Sequence, residues 1–134
     1  MLCCGDITSL ETIDFILKNY PGFFYLSLGN VDSFAEEDTE DLSGLKNLGR
    51  TGGIIKLGGK RIGLCHEPDL MDEIIEQGDC DIIFYGHTHK PWIEKQDDLR
   101  LVNPGTLAGM FAKATFAVWD TDKDEPDLKI LEEM

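Results

Sequence analysis

The sequence predicts a single domain of mixed α/β class. Its 134 residues are enough for one compact domain and leave little chain for a second. Short apolar runs of strand length alternate with two helical patterns along most of the chain, and strands separated by polar turns dominate the last part. Hydrophobic residues make up 42% of the chain, which argues against intrinsic disorder and favours a buried core.

The N-terminal part of the chain predicts a strand, a helix and a second strand. Residues 2–4 form the first apolar run. Residues 8–20 repeat apolar side chains at helical spacing, and Thr8 and Glu11 are placed as a capping box at the start of this helix. A proline–glycine pair ends the helix, and the apolar run 23–28 then predicts the second strand.

The rest of the chain predicts a hairpin, a second helix and several short strands. Residues 36–41 contain five acids in six positions, a composition typical of a solvated loop. Residues 52–57 and 60–65 predict two strands joined by a turn at Gly58-Gly59. Residues 68–78 begin with proline, end with glycine and carry one apolar face, which predicts the helix. Further strands are predicted over residues 81–85, 92–94, 99–102, 115–119 and 127–131.

The charge balance excludes several classes of partner. Twelve Lys and Arg stand against 26 Asp and Glu, a net charge of −14. This charge opposes non-specific attraction to nucleic acid and to anionic lipid. No apolar run approaches the roughly 20 residues that span a bilayer, and the N-terminus lacks the basic segment of a secretory signal. We therefore expect a soluble, cytoplasmic protein that makes no contact with membranes.

The four cysteines show no spacing typical of a structural zinc site or a redox motif. Most of them lie in or beside apolar runs. We expect them to be reduced thiols buried in or near strands.

Potential metal ligands follow four of the predicted strands. Asp6 follows the first strand, Asn30 the second and His66 the second strand of the hairpin, while His87 and His89 follow the strand after the second helix. The carboxyl ends of strands in α/β sheets form the crevice in which ligands bind. We therefore expect these five side chains to converge.

Taken singly, most of these residues have an ordinary structural explanation. Asp6 could cap the helix that follows it, Asn30 could be a turn residue, and His66 could hydrogen-bond the start of the second helix. Two imidazoles in Gly86-His87-Thr88-His89, directly after a buried strand, favour metal binding. The Gly-rich segment 103–106 fits a simple turn and a backbone cradle for phosphate equally well.

The donor set indicates the class of metal and of reaction. One carboxylate, one amide oxygen and three imidazoles, with no thiolate, suit Mn²⁺ and also Ni²⁺, Fe, Zn²⁺ or Co²⁺, rather than Ca²⁺. One aspartate can bridge two ions about 3.5 to 4 Å apart, as in two-metal phosphatases and nucleases. This chemistry favours hydrolysis of a phosphoester.

With these residues placed, the chain resembles the calcineurin-like metallophosphoesterases, in particular their small bacterial and archaeal phosphodiesterase branch. The resemblance covers nearly the whole chain and rests on several blocks in the same order. The matching blocks are Gly5-Asp6, Gly29-Asn30-Val31-Asp32, His66, Gly86-His87-Thr88-His89 and Asn103-Pro104-Gly105-Thr106. The fold that this resemblance implies is a two-sheet αββα sandwich with metals at the strand ends.

The resemblance also implies a role for each matched position. Asp6 would bridge two ions, Asn30, His66 and His87 would complete one site, and His89 would belong to the other. Attack by metal-bound hydroxide on phosphorus is the implied reaction, with Asn30 and the ions holding the phosphate oxygens.

Two departures from the family pattern qualify these expectations. The family begins with a strand that ends in D-x-H and leads through a helix to the G-D block, whereas this chain starts at the later strand. We therefore expect the domain, residues 1–134, to be N-terminally truncated, with its natural start upstream or its gene model shortened. The first metal would then have only Asp6 and His89, so that one ion rather than two is expected here.

The second departure is Val31, which stands where larger relatives have a histidine that protonates the leaving group. Valine cannot transfer a proton, so water must do so. Asp32, the next residue, is the remaining candidate for this assistance.

Two functions follow from the sequence. The first is a metal-dependent phosphoesterase, in particular a phosphodiesterase, acting on a small substrate, and a homo-oligomer is compatible with it. The second is a non-catalytic interaction module on the same fold, similar to the small subunit of the retromer sorting complex. The retained histidines favour the first function, and the missing D-x-H favours the second.

Overall fold

The computed structural model describes residues 1–110 and 112–134. The helices are α1, Leu10–Asn19, and α2, Met71–Gln77, and short 3-10 turns span Glu37–Thr39, Pro68–Leu70 and Leu131–Glu133. The strands are β1, Leu2–Cys3; β2, Phe24–Leu26; β3, Leu45–Asn47; β4, Gly53–Leu57; β5, Lys60–Leu64; β6, Ile82–Phe84; β7, Trp92–Gln96; β8, Leu99–Asn103; β9, Thr115–Asp120; and β10, Glu125–Ile130.

The strands form three hydrogen-bonded sheets. β1, β2 and β3 pair in that order and run parallel. A five-stranded sheet has the order β4-β5-β6-β8-β7, in which β5, β6 and β8 are parallel and the two edge strands are antiparallel. β9 and β10 form an antiparallel pair.

The packing of these sheets confirms the predicted mixed α/β class. Ile13 of α1 is buried against Phe24 on one side of the three-stranded sheet, and Ile74 of α2 is buried against Ile83 of the five-stranded sheet. Between the sheets lies a core cluster built from alternate residues of the central strands, because successive side chains of a strand point to opposite faces. Leu2 of β1 and Trp119 of β9 both pack on that cluster. The layers therefore run helix, sheet, sheet, helix, and β1–β3 and β9–β10 face the five-stranded sheet together.

The start of α1 differs from the prediction. Thr8 and Glu11 were expected to form a capping box, but the cap is Ser9, whose Oγ accepts a hydrogen bond from Thr12 N at 3.3 Å. Thr8 has a left-handed backbone with φ +71° and donates its N–H to Asp32. The backbone of Thr8 therefore belongs to the loop before α1.

The hairpin of β4 and β5 is confirmed, with Leu57 opposite Lys60. Gly58 and Gly59 have φ of +55° and +74°. Two consecutive left-handed residues match the twist of the flanking strands, which is why glycine suits both positions.

Neither α1 nor α2 has the length and hydropathy that a bilayer-spanning helix needs, and the described part of the chain contains no other helix that does.

An ion-pair network fastens the β9–β10 hairpin to the five-stranded sheet. Asp124 Oδ1 lies 3.2 Å from Lys60 Nζ, and Asp124 Oδ2 lies 2.8 Å from Arg100 Nη1. The hydrogen bond from Arg100, followed by that from Lys60, lowers the pKa of Asp124 below its ordinary value. A lowered carboxyl pKa stabilises the fold at neutral pH, and this contribution is lost as the pH falls through the folded-state pKa.

We expect Asp124→Asn to lower the midpoint of thermal unfolding by a few degrees at neutral pH, and the difference to shrink in acid. Asparagine tolerates the left-handed backbone at this position, φ +57°, so the substitution removes the charge and one acceptor oxygen without straining the turn. Asp97→Asn is the matched control, because Asp97 is also left-handed in a hairpin turn and forms no ion pair with the described residues. Equal shifts for the two variants at neutral pH would contradict the role of the network.

Candidate metal centre

Four strand ends place the candidate ligands at one edge of the fold. Asp6 follows β1 and Asn30 follows β2, and these strands are parallel neighbours. His66 follows β5 and His87 follows β6, which are parallel neighbours in the facing sheet. Because parallel strands end at the same edge, the loops of the two sheets meet above the core.

Four polar side chains meet there within hydrogen-bonding distance. His66 Nε2 lies 2.9 Å from Asn30 Oδ1, 3.2 Å from His87 Nδ1 and 3.4 Å from Asp6 Oδ2. His87 Nδ1 also lies 3.2 Å from Asn30 Oδ1. Ligand atoms bound at about 2.1 Å to one ion are separated by about 3.0 Å in an octahedral site and about 3.4 Å in a tetrahedral one. The observed separations therefore fit a group of atoms surrounding one cation.

The tautomer of His66 is fixed by the backbone. His66 Nδ1 lies 2.6 Å from the carbonyl oxygen of Cys4, which can only accept, so Nδ1 carries the proton. Nε2 then presents its lone pair to the other three side chains. A backbone carbonyl that orients the second ring nitrogen is the usual partner of a metal-binding histidine. His66 Nε2, Asn30 Oδ1 and Asp6 Oδ2 are therefore acceptors that converge at this point, and a cation would satisfy them together.

The site is closed at its base and open above. His66 is only 2% exposed, whereas Asn30 and His87 lie at the surface. A phosphate-sized ligand can therefore reach the cluster from solvent.

The amide oxygen of Asn30 is a necessary member of this donor set. Counting His, Cys, Asp and Glu alone, residues 1–110 and 112–134 contain no group of three or more that could hold a metal ion. Each of the four distances given above involves His66 Nε2 or Asn30 Oδ1. Burial raises the pKa of Cys3 to about 11 and that of Cys65 to about 12, so both thiols are protonated at neutral pH in the metal-free protein. All four cysteines are free, as predicted.

The backbone of the site is strained. Asp6, Thr8, His87 and His89 all have φ between +57° and +71°. Left-handed backbone at residues other than glycine costs on the order of 1–3 kcal/mol each and persists where surrounding contacts enforce it. Such strain concentrates at functional sites, which is consistent with the position of these loops.

Asp32 is one source of the enforcing contacts. Its Oδ2 accepts hydrogen bonds from Asp6 N at 3.1 Å and Gly29 N at 2.7 Å, and its Oδ1 accepts from Thr8 N at 2.7 Å. The carboxylate is buried, and both oxygens bind backbone donors. These contacts make Asp32 an anchor of the loop that carries Asp6. That Asp32 assists protonation of the leaving group stays a prediction.

We expect Asp32→Asn to lower the free energy of unfolding by about 1–3 kcal/mol, because one amide N–H must then face a buried backbone N–H. Asp38→Asn is the control, since Asp38 accepts one backbone hydrogen bond, from Ala35 N, at the surface. Urea unfolding measures both. A loss no larger for Asp32→Asn than for Asp38→Asn would contradict the anchoring role.

Arg50 also holds this loop and has no motif that would single it out in the sequence. Its Nη1 donates to the carbonyl oxygen of Gly29 at 2.6 Å, and its Nη2 donates to that of Asp32 at 3.3 Å. The guanidinium thus fixes the segment that carries Asn30.

His89 takes no part in the contacts that join the other predicted ligands. It is exposed, and it forms no hydrogen bond or ion pair with Asp6, Asn30, His66 or His87 among the contacts of the described chain. The structure therefore brings together four of the five predicted ligands.

Comparison with known proteins identifies the family. The model of the calcineurin-like phosphoesterase superfamily domain matches residues 1–124. Phosphodiesterase MJ0936 of Methanocaldococcus jannaschii is 34% identical over 61 residues, which are 45% of this chain and 37% of that protein. The chain thus aligns with little more than a third of the length of this relative.

Solved structures agree on the fold. A structure described as a novel archaeal phosphodiesterase has a TM-score of 0.82 and 24% identity, and the match covers 97% of this chain and 81% of the other. Vacuolar Protein Sorting 29 from Cryptosporidium parvum has a TM-score of 0.68 and 24% identity, covering 96% of this chain and 78% of the other. Since the family model spans most of the chain, the protein belongs to the calcineurin-like phosphoesterase superfamily.

Proposed function

We propose that this chain is a divalent-metal-dependent phosphodiesterase that acts on a small phosphoester. The observation that carries the proposal is the convergence of Asp6, Asn30, His66 and His87, whose nitrogen and oxygen atoms are joined by four contacts of 2.9–3.4 Å at an open edge of the fold. Family membership and the likeness to phosphodiesterases support the reaction class.

The four converging residues would hold one ion, and His89 would contribute to a second site. Nitrogen and oxygen donors without thiolate favour Mn²⁺, with Ni²⁺, Fe, Zn²⁺ and Co²⁺ as alternatives. Members of this superfamily generally use divalent metals, and an intact site holds two ions. When bound, the metal supplies Lewis-acid activation of water and of the phosphate oxygens.

The chain's own residues orient these components. Cys4 holds the His66 ring through its carbonyl oxygen, and Asp32 and Arg50 fix the backbone on either side of Asn30. The exposed Asn30 amide would bind a phosphate oxygen as well as the ion. Val31 is also exposed beside it and cannot donate a proton, so solvent protonates the leaving group.

The electrostatics fit a small substrate better than a polymer. A net charge of −14 repels phosphate chains, and a bound cation reverses the sign of the potential locally. A small phosphoester can bind beside the cation without approaching the acidic residues on the rest of the surface. A cytoplasmic location and a homo-oligomeric state remain predictions from the sequence.

The second candidate is a non-catalytic interaction module. Vacuolar Protein Sorting 29 has the same fold, but at 24% identity this likeness concerns the fold alone. The observation that favours this candidate is that, among the described contacts, His89 forms none with the other four ligands, which leaves the second ion with fewer donors.

Hydrolysis of bis-p-nitrophenyl phosphate, together with elemental analysis of the purified protein, separates the two functions. We expect turnover that requires Mn²⁺, disappears with a chelator and returns when Mn²⁺ is added back. One ion per chain is expected, as against two in an intact site. A protein that neither binds a divalent ion nor hydrolyses the ester would exclude the enzyme and leave the interaction module.

A further inference from the structure

The last residue of β8, Asn103, is completely buried and all its hydrogen-bonding groups are used. Its Nδ2 donates to the carbonyl oxygen of Gly86 at 2.9 Å and to Thr88 Oγ1 at 3.0 Å. Its Oδ1 accepts from Gly105 N at 2.9 Å. One amide therefore connects the core to two points on the loop that carries His87 and His89.

This loop needs such support because it is exposed and its backbone is strained. His87 and His89 are both left-handed, and residues 87–90 all lie at the surface. The carbonyl that Asn103 holds comes directly before His87, and the hydroxyl that it holds lies between the two histidines. Thr88 Oγ1 also accepts from Lys90 N at 3.4 Å, which continues the chain of contacts past His89.

We propose that Asn103 is a positioning residue for the candidate metal centre, acting through Gly86 and Thr88 to hold His87 against Asn30 and His66. The proposal rests on the proposed function. The two hydrogen bonds from Asn103 Nδ2 support the proposal, because they reach the loop that carries His87. Asn103 Oδ1 instead accepts from Gly105 N, in the turn after β8. Because the Gly105 N–H is engaged in that turn, it is not free to bind phosphate.

Three variants separate the effect of the Asn103 amide donors from that of its Oδ1 acceptor. Asn103→Asp keeps the acceptor for Gly105 N and replaces both donors with an oxygen that faces the Gly86 carbonyl. Thr88→Val removes the hydroxyl from an exposed residue with almost no change of shape, and Thr88→Ser restores it. Thr106→Ala is the control, since Thr106 Oγ1 accepts only from Ala108 N in the turn after Asn103 and contacts neither histidine in the described chain.

Two measurements on the full chain test the proposal. The first is the imidazole ¹⁵N chemical shift of His87 in metal-free protein, and the second is Mn²⁺ affinity by titration calorimetry. We expect Asn103→Asp to shift the His87 signal and to weaken Mn²⁺ binding about tenfold or more. We expect Thr88→Val likewise to shift the His87 signal and to weaken Mn²⁺ binding. Thr88→Ser restores both quantities, and Thr106→Ala changes neither.

The outcomes distinguish this proposal from the proposed function. If the parent protein binds no Mn²⁺ while Asn103→Asp and Thr88→Val still shift the His87 signal, the metal-dependent function fails and the positioning role stands. If the folded variants keep both the His87 signal and the Mn²⁺ affinity of the parent, the positioning role is overturned. Should Asn103→Asp not fold, Thr88→Val and Thr88→Ser decide alone.

Discussion

We expect Asp6→Asn to lower Mn²⁺-dependent phosphodiester hydrolysis by more than about 100-fold, beyond the loss typical of residues that only support a metal ligand. The substitution keeps the shape of the side chain and an oxygen for the hydrogen bond from Val31 N, which is 3.2 Å from Asp6 Oδ1. It removes the negative charge. It also places an N–H where Oδ2 faces the His66 Nε2 lone pair at 3.4 Å, so the ligand lone pair is engaged without metal.

The same geometry predicts that folding stability is retained. An amide that donates to His66 Nε2 satisfies a converging acceptor, so the free energy of unfolding without metal should stay within about 0.5 kcal/mol of the parent value. Asp14→Asn is the control, because Asp14 is exposed on α1 and, among residues 1–110 and 112–134, pairs with Lys18 alone. Kinetics with bis-p-nitrophenyl phosphate over a Mn²⁺ series, and urea unfolding in a chelator, give both quantities. Normal turnover in Asp6→Asn would remove Asp6 from the centre.

We expect Gly29→Ala to abolish metal binding without changing any ligand. A Cβ at Gly29 would lie 2.5 Å from the backbone N of Asp6 and would overlap the Asp6 carboxylate. A backbone atom cannot swing aside as a flexible side chain can, so the loop that carries Asp6 must move. Overpacking of this kind costs about 1–3 kcal/mol of stability.

Gly53→Ala is the matched control for Gly29→Ala. Neither position requires a left-handed backbone, and a Cβ at Gly53 would meet only Leu48 Cδ2 at 4.0 Å. We expect Gly53→Ala to bind Mn²⁺ as the parent does, whereas Gly29→Ala gives no measurable heat of binding in calorimetry. Equal Mn²⁺ affinity in both variants would show that Asp6 does not need its observed position.

The convergence of Asp6, Asn30, His66 and His87 could be predicted because it follows from topology. Each residue comes directly after an apolar run, and parallel neighbouring strands end at the same edge. The helices and most strands were recognisable for a similar reason, since burial on one face imposes a period on the sequence.

Other features depend on contacts that no local pattern encodes. β3, Leu45–Asn47, was not predicted, because it has a charged residue at its centre and is a strand only through its pairing with β2. The helix was expected to start at Thr8, whose backbone instead binds Asp32, a residue 24 positions away. Residues 36–41 were expected to be a loop, and the structure adds a 3-10 turn whose Thr39 is buried.

Supporting residues of the site were the least predictable. Arg50 acts through two backbone carbonyls and Asn103 through one carbonyl and one hydroxyl. Such contacts depend on where distant segments lie in space, and a sequence pattern carries no record of them. Spacing alone grouped His89 with His87; in the structure His89 is exposed, and its role as a metal ligand stays a prediction.

Anomalous X-ray scattering from crystals soaked in Mn²⁺ shows whether the side chains of Asp6, Asn30, His66 and His87 bind one ion. We expect an anomalous peak within about 2.0–2.3 Å of His66 Nε2, His87 Nδ1, Asn30 Oδ1 and a carboxylate oxygen of Asp6, the range for bonds to first-row ions. Soaks of Asp6→Asn crystals should lose this peak. A peak elsewhere on the parent protein, or none at saturating Mn²⁺ with the four side chains still in contact, would contradict the account.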